Sequence, residues 1–367
     1  MRQGALIGAI LPAKTTIKPM KTTNAYIRIA LPLLAAAILT ATSGRADTYS
    51  STNFQSDIPG VAQHTDPNLV NPWGMAASST GTIWVSDNGT GVSTLYNQDG
   101  TAVSLVVEIP TAARNRDGAN PTGVVFNDTE FFQVTKNGTS APAIFIFVSE
   151  DGSISGWSPT LDQTHAIIAV DNGTNHGVNR AIYKGATLGV ANDHNFLYVT
   201  DFHTGKVETY DENFHQVTPN GFVDPNLPAG YGPFGIRNFN GEIFVTYAKQ
   251  DHQREDDVAC AGCGFVNVFD TSGNFLRRLV SNGNLNAPWG LTEVEDELWV
   301  GNFGDGFINV YDPVTGNFIE TLMRADGTPL QIDGLWDMLP AQAGGVFFTA
   351  GIADEEHGLF GIITEDQ

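Results

Sequence analysis

The chain has 367 residues, of which 16% are charged, and its formal net charge at pH 7 is −22. This length allows one large domain or two smaller ones, and the 40 glycines favour strands and tight turns over long helices. A surface this acidic repels nucleic acids and anionic lipid headgroups, so we expect no nucleic-acid partner.

The first segment of the chain is typical of an export signal. Residues 1–46 hold six basic residues and no acidic residue, and an apolar run over residues 29–39 precedes small residues that end at Ala46. This order is that of a signal peptide, and the apolar run is short for a membrane span. We therefore predict a signal peptide over residues 1–46, one domain over residues 47–367, no membrane span, and a secreted or periplasmic location.

Three later stretches share one repeated pattern. Each opens with Pro, an aromatic residue and Gly, and continues through a short apolar strand, a polar turn and a second strand of the Ile-Trp-Val kind. These stretches are residues 72–101, 233–275 and 288–318. More divergent copies open near Pro121, Ala181 and Asp333. Six units of about 50 residues, each with four short antiparallel strands, predict an all-β fold, a six-bladed β-propeller.

The closure of the ring is predicted from both ends of this domain. The last unit has three strands, and the segment from Tyr49 to Ile58 belongs to no unit of its own. Its Asn53-Phe54 pair resembles Asn274-Phe275 and Asn317-Phe318, which open outer strands of other units. We predict that this N-terminal strand completes the last blade, so that the ring has no open sheet edge.

The only two cysteines are Cys260 and Cys263, in the sequence Cys-Ala-Gly-Cys. A zinc site needs two more ligands, and a thioredoxin-like motif needs a βαβ context that is missing here. In an exported protein we expect a local disulfide, with a free thiol pair as the alternative. The two cysteines end an acidic insert over residues 249–263, which is interpreted either as a solvated loop or as a lid or cation clamp.

Polar residues are predicted to crowd one face of the propeller, where the loops that enter the blades and the loops between their second and third strands lie together. Carboxylate, amide and imidazole ligands that converge on the axis can hold a divalent cation such as Ca²⁺, which acts as a Lewis acid or generates hydroxide. The candidate metal ligands are Asp87, Asp201, His203, Asn302 and Asp305. The simpler interpretation is that such residues form turns.

Further polar residues are expected on the same face. They are His64, Asn71, Asn88, Glu150, Asp151, His176, Asn179, Asp251, His252, Glu255, Asp256, Asp257, Asp354, Glu355, Glu356 and His357. His194 and His215 are expected on the opposite face.

Several segments carry a resemblance to a known family. They are residues 71–74, 85–90, 199–205, 256–259 and 264–270. Over about residues 50–365 the chain resembles exported NHL-like propeller proteins of unknown function, some of which carry a C-terminal exosortase sorting tail. This chain has no such tail, so the resemblance implies free secretion or periplasmic residence, and it implies no catalytic residues. More distantly, the repeats are similar to virginiamycin-lyase-like and gluconolactonase-like propellers, which implies a metal-dependent lyase or lactonase.

Two functions are therefore compared. The first is a scaffold that binds a small molecule, a glycan or a protein through the loops of one face, as a monomer. The alternative is a divalent-metal-dependent hydrolase or lyase, lactonase-like or virginiamycin-lyase-like, with its site in the central channel. Three or more acidic, Asn or His side chains on the axis favour the enzyme, and a plugged channel favours the scaffold. The sequence lacks the Gly-x-Ser-x-Gly, His-Glu-x-x-His and phosphate-loop motifs.

Overall fold

A computed structural model describes residues 47–113, 118–173, 180–217 and 221–366. The predicted signal peptide, His176 and Asn179 lie outside these residues. Residues Ala46–Gln367 form one compact unit. Its described residues form strands and turns with no helix, and accordingly none of them belongs to a helix long and apolar enough to cross a membrane.

The strands form six small sheets, which are the blades of a six-bladed β-propeller. The chain starts with β1 (Tyr49–Ser56) and β2 (His64–Thr65), which belong to blade 6. Blade 1 contains β3 (Pro72–Ala77), β4 (Ile83–Asp87), β5 (Val92–Tyr96) and β6 (Val107–Glu108). Blade 2 contains β7 (Pro121–Phe126), β10 (Phe145–Ser149), β11 (Ser153–Trp157) and β12 (Ile167–Asp171), with a separate hairpin of β8 (Gln133–Lys136) and β9 (Thr139–Pro142).

The remaining blades follow the same antiparallel order from the axis outward. Blade 3 contains β13 (Tyr183–Ala191), β14 (His194–Asp201), β15 (Lys206–Asp211) and β16 (Gln216–Val217). Blade 4 contains β17 (Tyr231–Phe239), β18 (Glu242–Lys249), β19 (Phe265–Asp270) and β20 (Phe275–Ser281). Blade 5 contains β21 (Pro288–Val294), β22 (Glu297–Asn302), β23 (Ile308–Tyr311) and β24 (Phe318–Thr321). Blade 6 contains β25 (Leu335–Pro340), β26 (Val346–Ala350) and β27 (Leu359–Glu365), followed outward by β1 and β2.

The predicted closure is confirmed. Strand β1 pairs antiparallel with β27 from Tyr49 opposite Glu365 to Ser56 opposite Leu359. Apolar clusters fill the space between every pair of neighbouring blades, including blades 6 and 1. Each blade is therefore buried on both sides, which is why its inner strands read as nearly continuous apolar runs.

The hairpin of β8 and β9 was not predicted from the repeat. It lies in the connection between the first two strands of blade 2, and Asn137 and Gly138 at its tip both have positive φ, at 53° and 81°. This Asn-Gly pair is typical of a two-residue hairpin turn, so the local signal was present although the repeat hid it.

The propeller has two faces, which are named here by their loops. We call upper the face with the blade entry loops and the turns between second and third strands. We call lower the face with the turns between first and second strands.

Candidate functional site

The axis is filled by aromatic side chains just below the upper face. They come from the first strands of blades 1, 4, 5 and 6 and are Trp73, Phe234, Trp289 and Trp336. The Trp73 and Trp336 ring centroids are 3.4 Å apart, and Trp73 also lies 6.3 Å from Phe234 across the ring. These buried side chains form an axial plug. The plug therefore fills the axis below the upper face with packed side chains.

Lys184 occupies the position in blade 3 that these aromatic residues hold in other blades. In each case the residue precedes the glycine or aspartate of the first strand, as in Trp73-Gly74 and Lys184-Gly185. The Lys184 side chain is buried, and its Nζ lies 5.1 Å from the centroid of Trp73 and 5.9 Å from that of Phe202. An ammonium at this distance from aromatic faces is stabilised by cation–π attraction.

Two carboxylates from neighbouring blades reach Lys184. Its Nζ forms an ion pair with Glu150 of the blade 2 turn and lies 3.4 Å from Asp256 Oδ1 of the blade 4 insert. Burial alone lowers the pKa of Lys184, but the charges of Glu150 and Asp256 outweigh it and raise the pKa above its ordinary value. Lys184 is therefore a permanent buried cation at neutral pH.

A chain of hydrogen bonds extends from Glu150 to blade 6. Asn88 Nδ2 donates to Glu150 Oε2 at 2.9 Å, and Asn71 Nδ2 lies 3.4 Å from Asn88 Oδ1. Asn71 Nδ2 also donates to Glu355 Oε2 at 2.7 Å. The linked residues, here called the rim arc, are Glu355, Asn71, Asn88, Glu150, Lys184 and Asp256. The rim arc connects blades 6, 1, 2, 3 and 4 around the plug.

The carboxylates of this region outnumber its buried cation. Burial raises the pKa of Asp257 to about 7, with Glu355 adding to the rise and Lys184 opposing it. Burial also raises the pKa of Glu355, against the hydrogen bond from Asn71 and together with the charge of Glu150. Crowded carboxylates of this kind hold protons or attract a cation, because their mutual repulsion is unfavourable.

The acidic insert of blade 4 extends over blade 3. Besides the contact of Asp256 with Lys184, Glu255 forms an ion pair with Arg180, and Gln250 bonds to the carbonyl of Phe202. The predicted disulfide between Cys260 and Cys263 is present, and no described cysteine is free. The insert thus positions a carboxylate of the rim arc, which the interpretation as a merely solvated loop did not anticipate.

Three of the predicted metal ligands begin equivalent turns on the upper face. The carbonyls of Asp87, Asp201 and Asn302 accept hydrogen bonds from the glycine four residues later, at 2.9, 3.0 and 3.0 Å. Asp87 Oδ2 also accepts from Thr94 N, and Asp201 accepts from Ile182 N, Thr204 N and the Thr204 hydroxyl. Burial raises the pKa of Asp201 to about 6, against these hydrogen bonds.

The other two predicted ligands stay near their own turns. Asp305 accepts from Asn302 Nδ2 at 3.0 Å and from Asn286 Nδ2 at 3.1 Å, so Asn302 and Asp305 are brought together. His203 is buried beside the insert, and burial and the charge of Arg254 lower its pKa.

The five residues lie on three separate blades, and the described residues contain no group of three acidic, His or Cys side chains placed to hold a metal ion. The metal site stays a prediction, and turn formation accounts for Asp87, Asp201, Asn302 and Asp305.

Lys184 is the residue that the sequence analysis missed. The polar rim residues Asn71, Asn88, Glu150, Asp256 and Glu355 were expected on this face, but not as one network. The signal for Lys184 was the alignment of Lys184-Gly185 with the Trp-Gly and Phe-Gly pairs of other blades. Packing of the plug does not require a lysine at this aromatic position, so the replacement indicates another role.

Comparison with known proteins places the chain in a family. No family model matches it. It is 31% identical to uncharacterized protein R648 of Acanthamoeba polyphaga mimivirus, over 87% of this chain and 81% of the relative. Protein L690 of the same virus is also 31% identical, over 84% of this chain and 83% of the relative. The chain belongs to the family of these mimivirus proteins. Their names state no activity, so membership in the R648 family leaves the function open.

Solved structures similar to this member of the R648 family share its fold. A streptogramin B lyase aligns with a TM-score of 0.50 and 14% identity, over 87% of this chain and 98% of the lyase. A putative oxidoreductase (glucose dehydrogenase) from Thermus thermophilus aligns with a TM-score of 0.52 and 12% identity, over 86% of this chain and 99% of the other. At such identities the similarity concerns the fold alone.

Proposed function

We propose that this protein is a binding module that holds a positively charged ligand on its upper face, above the axial plug. The observation that carries this proposal is the excess of carboxylates around Lys184. Glu150, Asp256, Asp257 and Glu355 surround one buried ammonium group, and the pKa values of Asp257 and Glu355 are raised. An added cation relieves the repulsion between these carboxylates and gains charge-assisted hydrogen bonds.

The rest of the molecule supports a cationic ligand in two ways. The net charge of −22 attracts cations over distances comparable to the Debye length, which is about 10 Å at 0.1 M salt. The plug closes the axis below the rim arc, so the upper face presents a rigid floor with exposed acidic groups such as Asp256. A rigid, preorganised surface lowers the entropic cost of binding.

The alternative of a metal-dependent hydrolase or lyase requires the predicted ligands to share one ion. The Asp201 and Asp305 carboxylates are occupied by hydrogen bonds from their own turns and from the entry segments of their own blades. Among the described residues, Asp87 Oδ1, Asn302 Oδ1 and both ring nitrogens of His203 are buried with no hydrogen-bond partner, and they come from blades 1, 5 and 3. The described residues contain no group of three acidic, His or Cys side chains placed to hold a metal ion, so we favour the binding module.

The proposal is tested with spermidine as a small polycation, by thermal melting and calorimetry of the full chain at low ionic strength. Spermidine is expected to raise the melting temperature, and added salt is expected to weaken this effect. Glu355→Gln keeps the acceptor for Asn71 but removes one charge, so it should reduce the response. Glu130→Gln changes an exposed carboxylate outside the rim arc and serves as the matched control.

Two results contradict the proposal. One is an equal response of Glu355→Gln, Glu130→Gln and the parent protein to spermidine. The other is a lack of response to spermidine together with a rise in melting temperature on addition of Ca²⁺ or Mn²⁺ that Asp201→Asn abolishes. The second result supports the metal-dependent alternative.

Export is part of the proposal. The bridge between Cys260 and Cys263 supports it, because disulfides persist mainly in oxidising compartments. We propose that the protein acts outside the cytoplasm, as a secreted or periplasmic protein, after removal of residues 1–46. Mass spectrometry of the mature N-terminus tests this cleavage, and a mature protein that retains residues 1–46 contradicts it.

A further inference from the structure

The lower end of the axis holds a second concave site, separate from the rim arc. First strands and their turns from blades 1, 2, 3, 4 and 6 enclose an open cavity of about 500 Å³. This volume lies within the range of small-molecule sites. Its walls combine polar and apolar surface in similar shares, and the apolar side chains include Met75, Val124, Phe126, Leu188 and Leu339.

One residue of the cavity wall, Arg237, belongs to an ion pair. Arg237 of blade 4 reaches across to Asp337 of blade 6, with Nη2 2.6 Å from Oδ1. Asp337 is buried and takes the place that a glycine holds in the first strands of the other five blades. Its carboxylate also accepts from Met75 N at 2.7 Å and from Met338 N at 2.8 Å, so its position is fixed by the backbone.

Arg237 keeps donors for a ligand. Its hydrogen bonds to the described residues all use Nη2, while a guanidinium has five N–H groups. The hydroxyl of Thr187, also in the wall, accepts from Asn238 N and retains its own proton to donate. Both ends of the Asn238 side-chain amide are already hydrogen-bonded, because Nδ2 donates to Leu188 O and Oδ1 accepts from Gly241 N. The described residues that line the cavity thus offer donors but no carboxylate.

We propose that this lower cavity binds a small carboxylate with an apolar body. The carboxylate accepts hydrogen bonds from the remaining N–H groups of Arg237, and the apolar body packs against the wall. Asp337 already balances part of the Arg237 charge, and the whole chain is acidic. A ligand with one negative charge therefore suits the site, whereas a polyanion would be repelled. This ligand has the opposite charge to the one proposed for the upper face, so the two sites are chemically distinct.

The probe is 2-naphthoate, compared with the uncharged 2-naphthalenemethanol, and binding to the full chain is measured by calorimetry. We expect 2-naphthoate to bind more tightly by roughly tenfold or more, because a hydrogen bond to a charged group is stronger than one to a hydroxyl. Ala77→Trp introduces a large side chain at a residue of the cavity wall outside the ion pair, so it should abolish binding of both compounds.

A double variant tests the role of the charge. Arg237→Gln with Asp337→Asn replaces the ion pair by a neutral hydrogen-bonded pair, and the preference for 2-naphthoate should disappear. Glu355→Gln on the upper face should leave this binding unchanged, which separates the inference from the proposed cation site. The inference is overturned if 2-naphthoate does not bind at millimolar concentration, if both compounds bind the parent protein equally, or if Ala77→Trp binds 2-naphthoate as the parent does.

Discussion

Two departures from the repeat on the axis introduce a buried charged side chain. Lys184 replaces an aromatic residue at the plug, and Asp337 replaces a glycine one position further along the first strand. In other blades close packing requires a glycine at the position of Asp337, since a Cβ on Gly235 would lie 2.0 Å from Trp289 O. Both of these replacements introduce a buried charge, and a buried charge requires partners. These two positions therefore indicate where the ring differs from a purely structural scaffold.

The first prediction concerns the pH dependence of Asp257. Its folded pKa of about 7 lies above the ordinary aspartate value of 3.8, so the folded protein holds the proton more tightly than the unfolded chain. Stability of the parent protein should then fall as pH rises from about 4 to about 7. The Asp257→Asn variant has no carboxyl group at this position, so it does not undergo this loss of stability. Its melting temperature relative to the parent should increase over that pH range and stay constant above it.

Asp312→Asn provides a control of opposite sign. Hydrogen bonds from the backbone and side chain of Thr315 lower the pKa of Asp312. The parent gains stability from this group as pH rises toward the ordinary aspartate pKa of 3.8 and keeps it above that value, so the Asn variant should become relatively less stable across this acidic range. Melting curves of all three proteins from about pH 2 to about pH 9 provide the comparison. A pH-independent difference between Asp257→Asn and the parent would show that the Asp257 carboxyl titrates normally.

At the scale of elements, the strands were predictable and the contacts between blades were not. The Pro-aromatic-Gly opening recurs in all three good copies, and the Asn-Phe pair recurs in two of them and in β1, so strand order and the pairing of β1 follow from these short-range patterns. The rim arc joins side chains from five blades, and the distances between those side chains cannot be deduced from a single sequence. The predicted metal ligands show the same limit, because aspartates that form turns and aspartates that bind metals are identical in sequence.

The second prediction concerns the disulfide of the blade 4 insert. Cys260 and Cys263 are three positions apart, so the bridge closes a very short loop. For such a loop the chain-entropy estimate is only about 2 kcal/mol. Reduction should therefore change the melting temperature little but increase amide exchange or proteolysis within residues 250–263, since the insert loses its covalent constraint.

Thiol titration of unfolded, unreduced protein should find no free thiol, and the Cys260→Ser, Cys263→Ser double variant should behave like the reduced protein. Two titratable thiols, or unchanged exchange in the insert after reduction, would contradict this role of the bridge.

At the scale of the whole molecule, the ring depends on one strand from the start of the domain. Strand β1 contacts three blades. It pairs with β27 in blade 6, Tyr49 packs edge-on against Trp299 of blade 5 at 5.5 Å, and Gln55 bonds to Gly100 O of blade 1 at 2.8 Å. Closure therefore removes a sheet edge and also ties the last blade to both neighbours, which fixes the geometry of the sites at both ends of the axis.

The last prediction tests closure by comparing a chain that begins at Asp47 with one that begins at Asp57. The shorter chain lacks β1 but keeps the Asp57 carboxylate that bonds to His357 Nδ1 at 2.6 Å, so the difference reports the strand alone. It should expose the edge of β27, lose the aromatic contacts of Phe54 with Phe347 and Phe360, and aggregate or melt at a much lower temperature. A synthetic peptide of residues 47–58 should restore part of the stability by pairing with the open edge. Size-exclusion chromatography and thermal melting measure both effects. If the shorter chain stays monomeric and melts within about a degree of the longer one, β1 is dispensable and closure does not stabilise the ring.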